Sequence, residues 1–302
     1  MSSNNKNRLT KAERQSAARE KAKALREAQL KKEKRNKQIL VWSIVGVVVA
    51  IGAVVALLVA NSLNSAVPDA GPAPANQTQY GGVVFNKDGI VTSESVGEVN
   101  MANLPSPLPA PSQAPDQKTE AQIEGMKVKE KGSKDPIQVI IYADAICPIC
   151  KQFEDMNGAQ LDTLVEEGKI TTETRMVGLL DTYSQGSNYS SRAANMLACV
   201  ANEAPEKYKD VANQIWAQQP AEQTTGLDNA TLNAMAADQG VTNIESCVKD
   251  GTYRPWVKYQ TQLATNTQVT GTPYVVVDGE YWDGRKDGQF LDFLNKKIEE
   301  KS

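Results

Sequence analysis

The chain has 302 residues, room for one large domain or two ordinary ones, and it contains no histidine, which excludes imidazole-ligated metal sites and imidazole acid–base catalysis. Its net charge of -3 conceals an asymmetry: residues 1–38 hold 13 Lys/Arg against 4 Asp/Glu, a net of +9, so the remainder carries -12.

Residues 9–36 are rich in good helix formers, with Thr10 placed as an N-cap. Residues 1–38 read as a solvated basic tail, with attachment to anionic lipid as an alternative; no aromatic or fold motif supports nucleic-acid binding. Residues 39–60 follow as 22 positions without a charge. At 1.5 Å per residue such a helix spans about 33 Å, enough to cross a bilayer core. A cleaved signal peptide, cut near Ala60-Asn61-Ser62, is the rival reading, but its apolar region usually runs to only about 7–15 residues. Because the basic flank precedes the span, the positive-inside rule predicts a single-pass protein of the cell membrane with its N-terminus in the cytoplasm. All four cysteines then lie outside, in a compartment where disulfides persist.

Residues 61–119 read as an extracytoplasmic linker. Within it, Val83-Val84-Phe85 and Ile90-Val91 flank Asn86-Lys87-Asp88-Gly89 as a hairpin signal, and residues 104–115 are proline-rich and predicted to be an extended spacer, with a PxxP-type ligand as the alternative. The folded domain is placed at residues 120–302. Met126 to Lys131 is a candidate first strand, and the apolar, β-branched run Ile137–Tyr142 a buried one. Pro148 suits a first helical turn, and Lys151 to Glu167 reads as a helix ended by Gly168. Ile170–Val177 alternates as a further strand of undetermined direction. From Ser190 to Ala264 the pattern is helical. Val269 to Trp282 returns to strand around an Asp278-Gly279 turn, and residues 287–300 form a closing amphipathic helix. This is an α/β layout, strand–helix–strand, then helices, then hairpin–helix. It resembles a thioredoxin fold with a helical subdomain inserted at about residues 185–264, preceded by a single transmembrane helix.

Cys147-Pro148-Ile149-Cys150 carries the chemistry. Placed between a strand and a helix, its first sulfur sits where unpaired N–H groups and the helix dipole stabilise a thiolate. Zinc is a competing use of this spacing. It would have to borrow Cys199 and Cys247, which stand singly rather than as the paired knuckles of structural zinc sites, so no metal is predicted. A purely structural disulfide across so short a loop adds little stability. The reading is a redox-active dithiol: Cys147 the exposed nucleophile, Cys150 the more buried resolving thiol, Pro148 fixing the turn, and Ile149 supplying neither charge nor hydrogen bond. Lys151 reads as a solvated lysine. Asp144 is either a polar turn residue or a group that tunes or relays protons. Thr272-Pro273 opens a buried-looking strand, which argues for an edge position or a special peptide bond. Tyr274, Trp282 and Trp256 read as core aromatics rather than substrate contacts. Cys199 and Cys247, 48 positions apart in helical-looking segments, read as a structural disulfide given the oxidising compartment, which in the chain-entropy picture contributes on the order of 4 kcal/mol; a second redox pair or two free thiols is the alternative.

Residues 137–153 and 269–282, with the helices between them, resemble the DsbA-like thiol–disulfide oxidoreductases, particularly membrane-anchored or exported actinobacterial members, over about residues 120–300. Tyr142-Ala143-Asp144 matches that family's lead into Cys-Pro-x-Cys, Cys199 and Cys247 match a cysteine pair of its helical insertion, and Gly271-Thr272-Pro273 matches its cis-proline strand beside the dithiol. The resemblance implies oxidation of dithiols in newly exported proteins, no cofactor, and recycling by a membrane quinone-linked partner. One departure stands out. Many members carry histidine between the cysteines, where this chain has Ile149. Without an imidazolium to stabilise the thiolate, the protein is expected to be a milder oxidant, or even a reductase or isomerase. The alternative of another class is a non-catalytic binding or chaperone module.

Overall fold

The computed structural model describes residues 66–107 and 135–301, together with nine positions between 19 and 35 that are helical and exposed. Residues 67–302 form one unit, separate from residues 1–66. The predicted span at 39–60, the strand expected at Met126 to Lys131 and most of the proline-rich spacer lie outside the described residues. Among the described residues, no helix is long and apolar enough to cross a membrane.

The run Ile137–Ala143 forms a strand, β5, at the centre of a six-stranded sheet. Gly82–Asn86 is β2, Gly89–Ile90 β3, Ile170–Met176 β6, Tyr274–Val277 β7 and Glu280–Tyr281 β8, in the order β3-β2-β6-β5-β7-β8. β5 and β6 are parallel, from Ile137 opposite Ile170 to Ala143 opposite Met176. That direction requires a crossover, supplied by α1 (Pro148–Glu166). β7 lies antiparallel on the other side of β5, with Tyr142 opposite Tyr274. Two residues at each outer edge, β3 and β8, complete the sheet. From Val139 onward β5 is apolar at every position, because both its faces are covered: Val139, Ile141 and Ala143 join the core under α1, and Ile140 and Tyr142 pack with Val177, Ala264 and Val276 on the reverse face.

α1 is a continuous 19-residue helix whose buried face runs Cys150, Phe153, Asn157, Leu161, Leu164, Val165. Gly168 stops it in the left-handed region, at φ 68°. The helical block between β6 and β7 comprises α2 (Tyr189–Glu203), α3 (Tyr208–Ala217), α4 (Asn229–Asp238), α5 (Glu245–Asp250) and α6 (Arg254–Asn266). α2 buries 12 of its 15 residues, so it has no solvent face and acts as the block's hub. α7 (Phe290–Lys301) closes the chain, setting Phe290 and Leu294 into the core.

The hairpin signal around Asn86–Gly89 is realised as β2 and β3, but residues 67–107 are not a free linker. β2 pairs antiparallel with β6, and β1 (Ala70–Pro72) pairs with β4 (Glu98–Asn100) beside α6. The domain therefore begins near residue 67 rather than 120. Composition conceals this because polar side chains make the attachment. Trp256 Nε1 donates to Gln77 Oε1 at 2.6 Å, Asn76 Nδ2 to the Ala201 carbonyl at 2.8 Å, and Gln260 Nε2 to the Gln79 carbonyl at 3.1 Å.

An ion pair lies beneath this attachment. Arg175 and Glu173, both fully buried, bond at 2.7 Å; Arg175 also donates to the Tyr142 hydroxyl at 2.6 Å and stacks 5.0 Å from the Tyr80 ring. Burial works against the Arg175 charge, but Tyr142 and Glu173 outweigh it and raise its pKa. Thr78 Oγ1 donates to Glu173, and β2 approaches so closely that a Cβ at Gly82 would lie 2.2 Å from the Glu173 carboxylate. Removing one partner strands the other charge in the interior. Glu173→Ala is expected to cost about 3 kcal/mol in urea unfolding and to hasten proteolysis within residues 67–91.

Candidate functional site

Cys147 occupies the N-cap of α1, its φ of -73° and ψ of 113° being extended, and its sulfur accepts the Cys150 N–H at 3.2 Å. Pro148 follows at the first helical position, where the missing N–H leaves no helical bond unmade. On the opposite side the Cys147 thiol donates to the Thr272 carbonyl at 3.3 Å, and the Thr272–Pro273 peptide bond is cis. Strand β7 thus begins against the nucleophile turn. Both thiols are free.

Their protons are held very unequally. The Cys147 thiol is lowered to about 6, chiefly by hydrogen bonding with the Cys150 thiol; burial opposes this, and Thr272 and the N–H groups of Cys150 and Ile149 add to it. Burial, reinforced by the neighbouring Cys147, pushes Cys150 far up. With its pKa lowered, Cys147 is the sulfur that ionises first, whereas Cys150 stays protonated and donates to it.

The sequence predicts an exposed Cys147, and the structure corrects this: Cys147 retains 3% of its surface, and Ile149 is the exposed member of the turn at 57%. The reason is that the turn is gripped from two sides. Thr272 stands on one, and on the other Gln219, just beyond α3, donates through Nε2 to the carbonyls of Ala145 and Cys147 at 3.1 and 2.9 Å. Ile149, besides lacking an imidazole, presents an apolar surface, continued two turns along the same face of α1 by Met156, 58% exposed.

Asp144 is wholly buried and fixes the lead into the turn. Its carboxylate accepts the Ile146 N–H at 3.1 Å and the Leu180 N–H at 2.8 Å, while its carbonyl accepts the Cys147 N–H at 3.0 Å. Lys151 pairs with Asp155 on the surface, as a solvated lysine should. Tyr274 stacks on Tyr281, Trp282 packs with Phe153 and Phe290, and Trp256 is buried. Cys199 and Cys247 form a disulfide joining α2 to α5. Among the described residues, no group of three or more His, Cys, Asp or Glu is placed to hold a metal ion. A cavity of about 500 Å³ lies on the far side of Cys150, lined by Phe153, Glu154, Trp216 and Pro273 among others.

Residues 132–296, more than half of the chain, match the protein family described as Thioredoxin, and the chain belongs to that family. Among solved structures it is similar to the reduced form of the disulfide bond oxidoreductase DsbG from Mycobacterium tuberculosis, at 32% identity over 58% of this chain and 83% of that one, TM-score 0.49. Oxidized DsbA from Mycobacterium tuberculosis gives 32% identity over 58% of this chain and 88% of that one, TM-score 0.49, and the thiol-disulfide oxidoreductase MdbA from Actinomyces oris 25% over 54% and 79%, TM-score 0.46. A curated relative, the serine/threonine-protein kinase PknE of Mycobacterium tuberculosis, is 27% identical over 158 residues, 49% of this chain. The chain spans about a quarter (27%) of that relative's length.

Burial pushes the Asp144 carboxyl up to about 7, against the lowering effect of Ser190 and of the Leu180 and Ile146 N–H groups and with help from Asp181. A carboxyl raised above its unfolded pKa favours the folded state fully below that pKa, near 4, and loses this contribution as pH rises through the folded value near 7. Urea midpoints measured across this window should show the decline in the wild type and a flatter profile in Asp144→Asn, whatever the variant's absolute stability.

Proposed function

We propose that this protein is an extracytoplasmic thiol–disulfide oxidoreductase that exchanges disulfides with exported proteins through Cys147 and Cys150 and promotes their oxidative folding. The observation that carries the reading is the geometry of the dithiol: the Cys147 sulfur caps α1 and accepts the Cys150 N–H at 3.2 Å, a second free thiol stands one turn further along the helix, and the cis Thr272–Pro273 segment faces the pair. In the oxidised protein, a substrate thiolate attacks the Cys147 sulfur. The Cys147–Cys150 bond breaks, a mixed disulfide forms, and Cys150 leaves and takes a proton. A second substrate thiolate then attacks the substrate sulfur of that mixed disulfide, releasing Cys147 as a thiolate and the substrate as a disulfide. Two electrons pass from substrate to protein.

A low Cys147 pKa stabilises the leaving thiolate and hence the reduced protein, which supports the oxidising direction although no histidine stands between the cysteines. Hydrogen bonds from the Cys150 thiol and from the N–H groups at the α1 N-terminus take the place of an imidazolium. The Cys199–Cys247 disulfide fits a compartment where disulfides persist. The uncharged stretch at 39–60 and its basic flank support a membrane anchor with the N-terminus in the cytoplasm, and the turnover described needs an electron acceptor, for which a quinone-linked membrane partner is proposed.

The discriminating measurement is the reduction potential of the Cys147–Cys150 pair against glutathione. A value above about -200 mV is expected; one near that of thioredoxin, about -270 mV, would instead make the protein a reductase. In cells, Cys150→Ala should accumulate mixed disulfides with exported proteins and Cys147→Ala none. Full envelope-folding activity in Cys147→Ala would sink the enzymatic reading in favour of a binding module.

A further inference from the structure

Three donors converge on the carbonyl oxygen of Cys147. Gln219 Nε2 is nearest at 2.9 Å, the Cys150 N–H follows at 3.1 Å and the Lys151 N–H at 3.2 Å. The same Cys150 N–H also lies 3.2 Å from the Cys147 sulfur, so a single hydrogen is shared between carbonyl and sulfur. A carbonyl oxygen has two lone pairs. The Lys151 N–H takes one as the first regular bond of α1, and the shorter bond from Gln219 takes the other.

We propose that Gln219 is a positioning residue for the nucleophile: by competing for the Cys147 carbonyl, its side-chain amide weakens that oxygen's hold on the shared Cys150 N–H and biases the hydrogen toward the Cys147 sulfur. This deepens the redox reading and rests on it. The bond to the Ala145 carbonyl at 3.1 Å engages the amide group a second time and holds it across the turn. Without Gln219, the carbonyl draws the shared Cys150 N–H more strongly, and the thiolate's share of that donor falls. Because Gln219 follows α3, the helical block thereby acts on the dithiol of the thioredoxin core.

The plain alternative is that Gln219 satisfies two carbonyls and fills space. Gln219→Met keeps the length and removes both donors, whereas Gln219→Ala removes donors and bulk together. In the reduced full chain, titrate Cys147 by thiolate absorbance and by the rate of iodoacetamide alkylation against pH. If donation matters, both variants titrate at higher pH than the wild type, and alkylation at about pH 5 slows roughly threefold in each. If Gln219→Met titrates like the wild type and only Gln219→Ala differs, the role is packing and the proposal fails. It fails equally if both variants show a lowered Tm with an unchanged titration. The wild type offers a check independent of folding: the Cys150 amide resonance should move with the Cys147 titration, and a stationary resonance overturns the proposal. Failure of the underlying redox reading is separately visible, because wild-type Cys147 would then show no thiolate below neutral pH.

Discussion

The first N–H groups of an α-helix have no partners within the helix, and in this protein they face a sulfur atom. Cys147 stands at the start of α1 as its cap, so the group that completes the helix is also the group that reacts. The requirement reaches through the surrounding structure. β5 must deliver the chain to that point, Asp144 must hold the turn, Pro148 must open the helix without a surplus donor, and Thr272 must bring a backbone carbonyl against the thiol. Burial of Cys150 completes the asymmetry, because a thiol kept from ionising can serve only as a donor to its neighbour.

The thioredoxin core is legible in the sequence because each of its parts has a strong local signature. The apolar run at Ile137–Tyr142, the proline just after Cys147, Gly168 at the end of α1 and the Asp278-Gly279 turn each match an element in the structure. The parallel direction of β6 is not legible, since alternation along one strand says nothing of its partner. The N-terminal arm hides for a different reason. Residues 67–81 contribute little apolar surface, and their attachment runs through Asn76, Gln77 and Thr78, whose polar character resembles that of any loop.

Within the site, the two cysteines and the cis-proline segment are evident from spacing and order, whereas Gln219 is not. It lies 72 positions from Cys147 in a segment without periodicity, and only the three-dimensional path of the helical block brings it to the turn. The burial of Cys147 is hidden in the same way. A cap residue is expected at the surface, and here walls on both sides close over it, leaving Ile149 to meet the solvent. The disulfide between α2 and α5 belongs to the same design: it secures the hub of the block whose neighbouring segment reaches the nucleophile.

The two outermost strands of the sheet, Gly89–Ile90 and Glu280–Tyr281, are only two residues long. An extended chain seeking to lengthen the sheet by edge pairing finds almost no ladder to join. For a protein whose proposed clients arrive unfolded, with their own strands unpaired, this matters: non-productive capture along the flanks is suppressed. Stub edges are thus a form of traffic control, leaving chains of the proposed client class little backbone on which to foul the sheet.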